Sequence, residues 1–299
     1  MDTLRVPNLQ YVYSIVISTR LSWMEMSLPV ARPLHVPFAV FLLVGTLPLF
    51  AADDHKAINI YSVPQEIALG RQIAAEVEKE VRVIDDPIIA EYVNRLGQNL
   101  AIHANAKFPV TVKMIQSDEV NAFTLPGGFV YVNSVMMKMA DNEAELASVI
   151  AHEIGHAAAR HATRQATRGQ LAKFAAVPLG ILIPGWAGVG ARQAAGMAAP
   201  VVSYHFSRAF ETEADLLGIR YLSEAGYDPR ASIDMFERIE SMERKKPGAV
   251  SKLFLSHPPT ADRIAKTQAA IARLKGESDS YILNTSEFET VRARLVAAN

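Results

Sequence analysis

Apolar positions recur at helical spacing along most of the chain and switch to strand alternation over one short central stretch. Ser62 with Gln65 three residues later makes a capping box. Pro64 stands in the first turn, and QEIALGRQIAAEVEKEV continues it as a helix. Asp86-Pro87 opens a second helix, with Ile88, Ile89, Tyr92, Val93 and Leu96 on one apolar stripe. Val110, Val112 and Met114 then alternate with Thr111 and Lys113, the period of a strand. Phe123 to Asn133 predicts two short strands around a Pro126-Gly127-Gly128 turn, and Pro126, lacking an N–H, places this element at a sheet edge.

Beyond it, EAELASVIAHEIGHAAARHATRQ predicts one long helix capped by Asp141 or Asn142. Leu171 to Val202 is apolar and broken by Gly and Pro: a lid, a membrane-contacting segment or a buried connection. Further helices are predicted over Ser207 to Glu224, from Asp228-Pro229 to Lys245, behind Thr260, and behind a last capping box of Ser286 and Glu289. His257-Pro258-Pro259 reads as a loop, and Met136, Met137 and Met139 as core filler. Many helices around a few central strands define an α+β protein.

The first 52 residues stand apart. Val36 to Phe50 is an uncharged apolar run, preceded by Arg32 and followed by Ala51-Ala52-Asp53-Asp54. This is the pattern of a secretory signal peptide, and the run is short of the about 20 residues of a membrane span. An uncleaved anchor is the alternative. A start at Met24 or Met26 would give the short n-region that such a signal needs. The expected division is therefore residues 1–52 as extension and signal or anchor, and 53–299 as the functional domain. The protein is expected to be exported, in the periplasm or on a membrane facing it.

Charge and composition narrow the chemistry. The net charge is −1, so there is no basic excess to neutralise phosphates, and nucleic acid is not an expected partner. The chain has no cysteine, which excludes disulfides, thiol nucleophiles and thiolate zinc sites.

His152-Glu153-Ile154-Gly155-His156 carries the sharpest signal. On a helix the two histidines lie about 40° apart around the axis, one turn from each other, so both rings can reach one metal. Glu153 is adjacent and can take a proton from a water that zinc has acidified. A catalytic zinc needs a third ligand and an open position. His161 follows His152 by nine residues, and on a continuous helix it points away, to the surface or behind the ligands. Glu211 and Asp215, four apart on one face, are the better source: one carboxylate can bind zinc while the other fixes a ligand histidine. Glu213 turns to solvent or an ion pair. Arg208 is expected to pair with Glu213 or Asp215, and Tyr204 and His205 are weaker candidates to stabilise an oxyanion. The competing reading is a solvated acidic face with ordinary polar histidines.

Several motifs outside this pentad carry a resemblance. They are Asn121-Ala122-Phe123 with Pro126-Gly127-Gly128, Asn142 to Leu146, Ser207-Arg208-x-x-Glu211-x-Glu213-Ala214-Asp215, and Ser256-His257-Pro258 with Arg263. With His152 to His156 they resemble the gluzincin peptidases that include HtpX-type proteases, CAAX prenyl proteases and periplasmic proteases assisting outer-membrane barrel assembly. The resemblance runs from about Ser62 to the C-terminus. It implies a zincin-like fold with one Zn2+ on His152, His156 and Glu211, Glu153 as catalytic base, and Asp215 as an essential orienting or proton-donating residue. It places His257 near the zinc, stabilising the transition state or occupying the open position at rest, with Arg263 in the same motif. The several membrane spans of the HtpX and prenyl-protease branches are not found, so the periplasmic branch fits best and a prenylated substrate does not.

The function expected is a zinc metalloendopeptidase acting on unfolded or misassembled envelope proteins. An extended peptide would add to an open edge at Phe129 to Asn133. The rival is a chaperone-like peptide-binding module whose zinc is latched by His257; a non-peptidase zinc hydrolase is a third possibility. Oligomeric state is open.

Overall fold

A computed structural model describes residues 58–182, 206–245, 257, 261–274 and 280–298. The signal-like run, Tyr204, His205, Thr260, and residues 183–202 of the apolar segment lie outside the described residues.

The chain opens with α1 (Val63–Glu80), started by the expected capping box: the Ser62 hydroxyl accepts from the Gln65 N–H, and the Gln65 side chain accepts from the Ser62 N–H. In α2 (Pro87–Ala101), Asp86 accepts from the N–H groups of Ile88 and Ile89. Ile89, Tyr92, Val93, Leu96 and Leu100 are buried, but Ile88, expected on the same stripe, is 48% exposed. Its place next to the cap turns it outward.

Three strands follow: β1 (Thr111–Ile115), β2 (Ala122–Leu125) and β3 (Phe129–Asn133), in the spatial order β1-β3-β2. β3 pairs antiparallel with β2 and parallel with β1, in register from Thr111 opposite Phe129 to Ile115 opposite Asn133. The sheet is mixed, and the expected open edge at Phe129 to Asn133 is corrected: β3 is the middle strand, paired on both sides. Alternation foretells the hairpin but not which of its strands receives β1. The edge falls on β2, with Pro126 in the turn at its end, consistent with a residue that cannot donate to a ladder.

A short α3 (Ser134–Met139) leads to α4 (Glu143–Ala158), capped by Asn142. The sequence pattern predicts a helix running on to Gln165, but the chain breaks at Arg160, in the left-handed region at φ 58°, and α5 (His161–Leu182) starts afresh. Arg160 is held there by bonds from its guanidinium to Glu66 and to the Tyr61 carbonyl. The remaining helices are α6 (Arg208–Glu224), α7 (Ala231–Lys245), α8 (Ala261–Ile271) and α9 (Ser286–Ala297). The cap of α9 is Thr285, accepting from the Phe288 N–H, one residue earlier than expected. Glu289 instead accepts from the Asn284 amide.

α4 is the centre of the core. Its Leu146, Ile150 and Ile154 are fully buried and belong to one cluster with Ile89 and Val93 of α2 and Val130 and Val132 of β3. Truncating one of these to Ala costs about 2–5 kcal/mol. Met136 and Met137 lie in the same cluster and Met139 packs against it, as core filler should. On its other side α4 meets α6 backbone to backbone. A Cβ on Gly155 would come within 2.8 Å of the Ala214 carbonyl oxygen, and one on Gly218 within 3.1 Å of the His152 nitrogen. That close approach carries Glu211 and Asp215 to the histidines of α4. Among the described residues no helix is long and apolar enough to cross a membrane.

Candidate metal centre

His152 and His156 leave α4 on one face, as their spacing requires, and their Nε2 atoms stand 3.0 Å apart. Glu211, in the first turn of α6, brings one carboxylate oxygen to 3.6 Å from His152 Nε2 and the other to 3.5 Å from His156 Nε2. Ligands at about 2.0–2.1 Å from a tetrahedral zinc lie about 3.3 Å from one another. The donor set is therefore spaced to converge on one small cation, and two imidazoles with a carboxylate are donors that zinc accepts. His257 belongs to the same constellation, its Nδ1 3.4 Å from His152 Nε2 and 3.1 Å from Glu211 Oε1. The four side chains each offer an atom within 4.8 Å of the others.

Each histidine is held by its far nitrogen. His152 Nδ1 lies 2.9 Å from Asp215 Oδ1, so it carries the proton and leaves Nε2 with its lone pair free for a metal. Asp215 is fixed in turn by Arg263 of α8, whose Nε and Nη2 each donate at 2.7 Å. The third guanidinium nitrogen, Nη1, reaches Glu211 Oε2 at 3.0 Å. One buried arginine thus clamps Glu211 and Asp215 together and favours the charged form of each against burial.

For His156 the support is His161, which the assumption of a continuous helix pointed away from the site. The break at Arg160 turns it back. Its Nδ1 sits 2.9 Å from His156 Nδ1, its Nε2 3.1 Å from Glu213 Oε2, and it is fully buried. If His156 Nε2 is to face a metal, its Nδ1–H donates to His161 Nδ1, and His161 Nε2–H donates to Glu213. Glu213 takes the ion pair foreseen for it, but with Arg164 at 3.0 Å. Arg208, expected as the partner of Glu213 or Asp215, is exposed, and those carboxylates are met by Arg164 and Arg263.

Glu153 stands beside the cluster, its Oε1 3.5 Å from His257 Nε2. Thr124 of the edge strand β2 lies 2.8 Å from its Oε2 and 2.8 Å from its backbone carbonyl, so the hydroxyl proton serves one or the other. Neither Thr124 nor Arg164 carried a sequence signal.

The electrostatics follow from this crowding. Burial drives the His156 imidazole well below its ordinary pKa, helped by His152, His161 and His257, and so keeps it in the neutral form that ligates. Burial pushes Glu211 and Asp215 up, but the facing cations outweigh it and both end below the usual carboxylate range. Burial also opposes a charge on His257, yet Glu211 and Glu153 bring it up to about 9.

Comparison with known proteins gives the family of the chain. The model of Peptidase family M48 matches residues 87–271. The chain is 30% identical over 249 residues to the beta-barrel assembly-enhancing protease of Escherichia coli strain K12, covering 80% of this chain and 50% of that protein. It is 31% identical over 283 residues to the putative beta-barrel assembly-enhancing protease of Vibrio cholerae, covering 89% and 57%. Against the mitochondrial metalloendopeptidase OMA1 of Schizosaccharomyces pombe it is 31% identical over 212 residues, covering 64% and 56%. The chain spans about half the length of the curated relatives it matches. With the family model covering more than half of its residues, the chain belongs to peptidase family M48.

Proposed function

We propose that this chain is a zinc-dependent metalloendopeptidase with His152, His156 and Glu211 as ligands and residues 53–299 as its peptidase domain. The observation that carries the reading is the convergence of those three side chains at zinc-ligand spacing with Glu153 beside them. Bound there, zinc supplies Lewis-acid polarisation of a carbonyl and lowers the pKa of water toward neutrality. Glu153 takes the proton of the attacking water and delivers it to the leaving amine. Thr124 holds its carboxylate in place. Asp215 and His161 keep the ligand histidines in the tautomer that ligates. An extended peptide adds to the outer edge of β2, the strand beside Glu153, by main-chain hydrogen bonds.

Peptidase activity on unfolded or misassembled envelope proteins, after export to the periplasm, is the setting that the signal-like segment and the names of the relatives support. His257 supports a second reading, a latched site with little turnover, because its Nδ1 lies within 3.1–3.4 Å of Glu211 and His152. Metal content and cleavage of an unfolded protein test both. About one zinc per chain with proteolysis lost in Glu153→Gln supports the enzyme. Zinc without proteolysis, relieved by His257→Ala, supports the latch. No zinc in folded, chelator-free protein overturns both.

A further inference from the structure

Two polar stripes run along α5. Thr163, Thr167 and Gln170, three and four residues apart, share one face, and both threonines are fully buried. The residues just ahead of α1 cover that face. The Asn59 amide donates to the Thr163 hydroxyl at 2.8 Å, the Ile60 N–H to the Thr167 hydroxyl at 3.2 Å, and the Gln170 amide to the Tyr61 hydroxyl at 2.8 Å. His161, Arg164 and Arg168 form the second stripe, about 100° around the axis, and face α6. His161 and Arg164 reach Glu213, and the Arg168 guanidinium lies over the Phe210 ring, 4.1 Å from its centroid.

Both stripes are aimed by the turn that joins α4 to α5. Arg160, directly before His161, has φ 58°, a conformation that any side chain disfavours. Its guanidinium donates to Glu66, which is 1% exposed in the first turn of α1, and to the Tyr61 carbonyl at 2.7 Å. A buried carboxylate needs a partner, so Glu66 holds the arginine and the arginine holds the turn. The margin at the far end is small. His161 Nδ1 is 2.9 Å from His156 Nδ1, and such a bond is lost by about 3.6 Å.

We infer that Glu66 is a positioning residue of the metal centre: through Arg160 it fixes the left-handed turn that aims His161 at His156. The affinity for zinc is thereby set in part from the N-terminal side of the domain. The inference rests on the zinc-site reading above and adds to it a residue that touches no ligand. The alternative, that Glu66 only docks α1 onto the rest of the protein, predicts lost stability with unchanged metal ligation. Glycine separates the two. It adopts a positive φ without a side-chain clash, so a glycine at position 160 keeps the turn and makes the clamp unnecessary.

The test compares wild type with Glu66→Met, Glu66→Gln and Glu66→Met/Arg160→Gly in the full chain, each checked for folding by circular dichroism. Methionine keeps the volume of Glu66 and removes its acceptors, whereas glutamine keeps one. Competition with a chromophoric chelator reads the zinc affinity, and thermal unfolding of the apo-protein reads the fold separately. Glu66→Met is expected to bind zinc about tenfold more weakly, the lower end of the range for outer partners of a ligand. Glu66→Gln is expected to recover part of that loss, and the double variant to return to within about twofold of wild type. A second readout needs no metal. In apo-protein labelled with 15N-histidine, the His156 Nδ1–H signal is expected to exchange slowly in wild type and in the double variant, and rapidly in Glu66→Met. Should Glu66→Met not fold, Glu66→Gln with and without Arg160→Gly carries the same comparison. Wild type that binds no zinc would count against the metal reading alone, and the exchange of that proton would still decide the inference. Zinc affinity unchanged by loss of Glu66, a double variant as weak as the single one, or a His156 Nδ1–H equally protected in every variant overturns it.

Discussion

Replacing His161 tests whether the chain His156–His161–Glu213 sets the metal affinity of the site. His161 has two parts to separate. Its ring stacks on Phe210, centroids 4.2 Å apart at 15°, and is fully buried, so it is a piece of core. Its nitrogens also join His156 Nδ1 to Glu213. His161→Ala removes both and would confuse a cavity with a lost orientation. His161→Phe keeps the stack and most of the volume while deleting the acceptor for His156 Nδ1–H. With that N–H buried and unmatched, His156 loses the bond that fixes its tautomer and the direction of Nε2.

Removing such outer partners of a metal ligand costs about 10–100-fold in affinity, equivalent to about 1.4–2.7 kcal/mol. The upper half of that range is expected here, because His156 is 1% exposed and water cannot stand in for the missing acceptor. His161→Asn, whose carbonyl can accept from Nδ1–H, is expected to recover part of the loss. Competition with a chromophoric chelator at pH 7 reads the affinity, and thermal unfolding in excess chelator reads the fold separately. Affinity of His161→Phe within about twofold of wild type would refute the reasoning. So would a loss of affinity that merely follows a loss of apo stability.

Four further outcomes follow from contacts described above. Glu153→Gln is expected to keep the metal and lower kcat by about 10²–10⁴-fold, the range of a general base, measured on an unfolded protein substrate. Thr124→Val, which deletes the hydroxyl 2.8 Å from the Glu153 carboxylate, is expected to lower kcat about tenfold with KM little changed. Arg263→Gln leaves two buried carboxylates without their shared cation and is expected to cost about 3–5 kcal/mol in denaturant unfolding. Glu78, away from the site, is pushed up by burial but held below its ordinary value of 4.5 by Lys113 and Tyr131. Its stabilising contribution is therefore present above about pH 4.5 and lost as pH falls through the lower folded value. Glu78→Gln should flatten that part of the acid-unfolding curve, seen by circular dichroism.

The elements that were legible in the sequence are those whose signals are local. The Ser62–Gln65 capping box, the Asp86 cap and the alternation at Val110, Val112 and Met114 each depend on residues within a turn or two, and each appears where expected. The errors arose where a distant partner decides. Helical propensity runs unbroken from Glu143 to Gln165, since Ala159-Arg160-His161 contains neither Gly nor Pro. What stops the helix is Arg160 reaching back about ninety-five residues to Glu66 and Tyr61. The place of β3 in the middle of the sheet is likewise set by where β1 returns after α2, which no alternation within Phe129 to Asn133 can encode.

The same division runs through the site. The ligand pair on α4 is a spacing rule, and Glu211 and Asp215 follow from the matching spacing on α6. Their joining depends on Gly155 and Gly218, whose missing side chains let α4 and α6 touch, and a glycine in a helix announces no such purpose in sequence. Behind the ligands the order is one of charge. Three carboxylates, Glu211, Glu213 and Asp215, occupy alternate positions of a single helix, and two other elements meet them: Arg263 of α8 meets Glu211 and Asp215, and His161 and Arg164 of α5 meet Glu213. Read along α6 alone, the three acids repel and look like a solvated face. In the fold they are paired from both flanks, so breaking the helix at Arg160 has a consequence at the metal: it turns both His161 and Arg164 toward Glu213. The irregular residue of α4's end is thereby as necessary to the site as the regular spacing of its histidines, and its value is visible only once the chain has closed on itself.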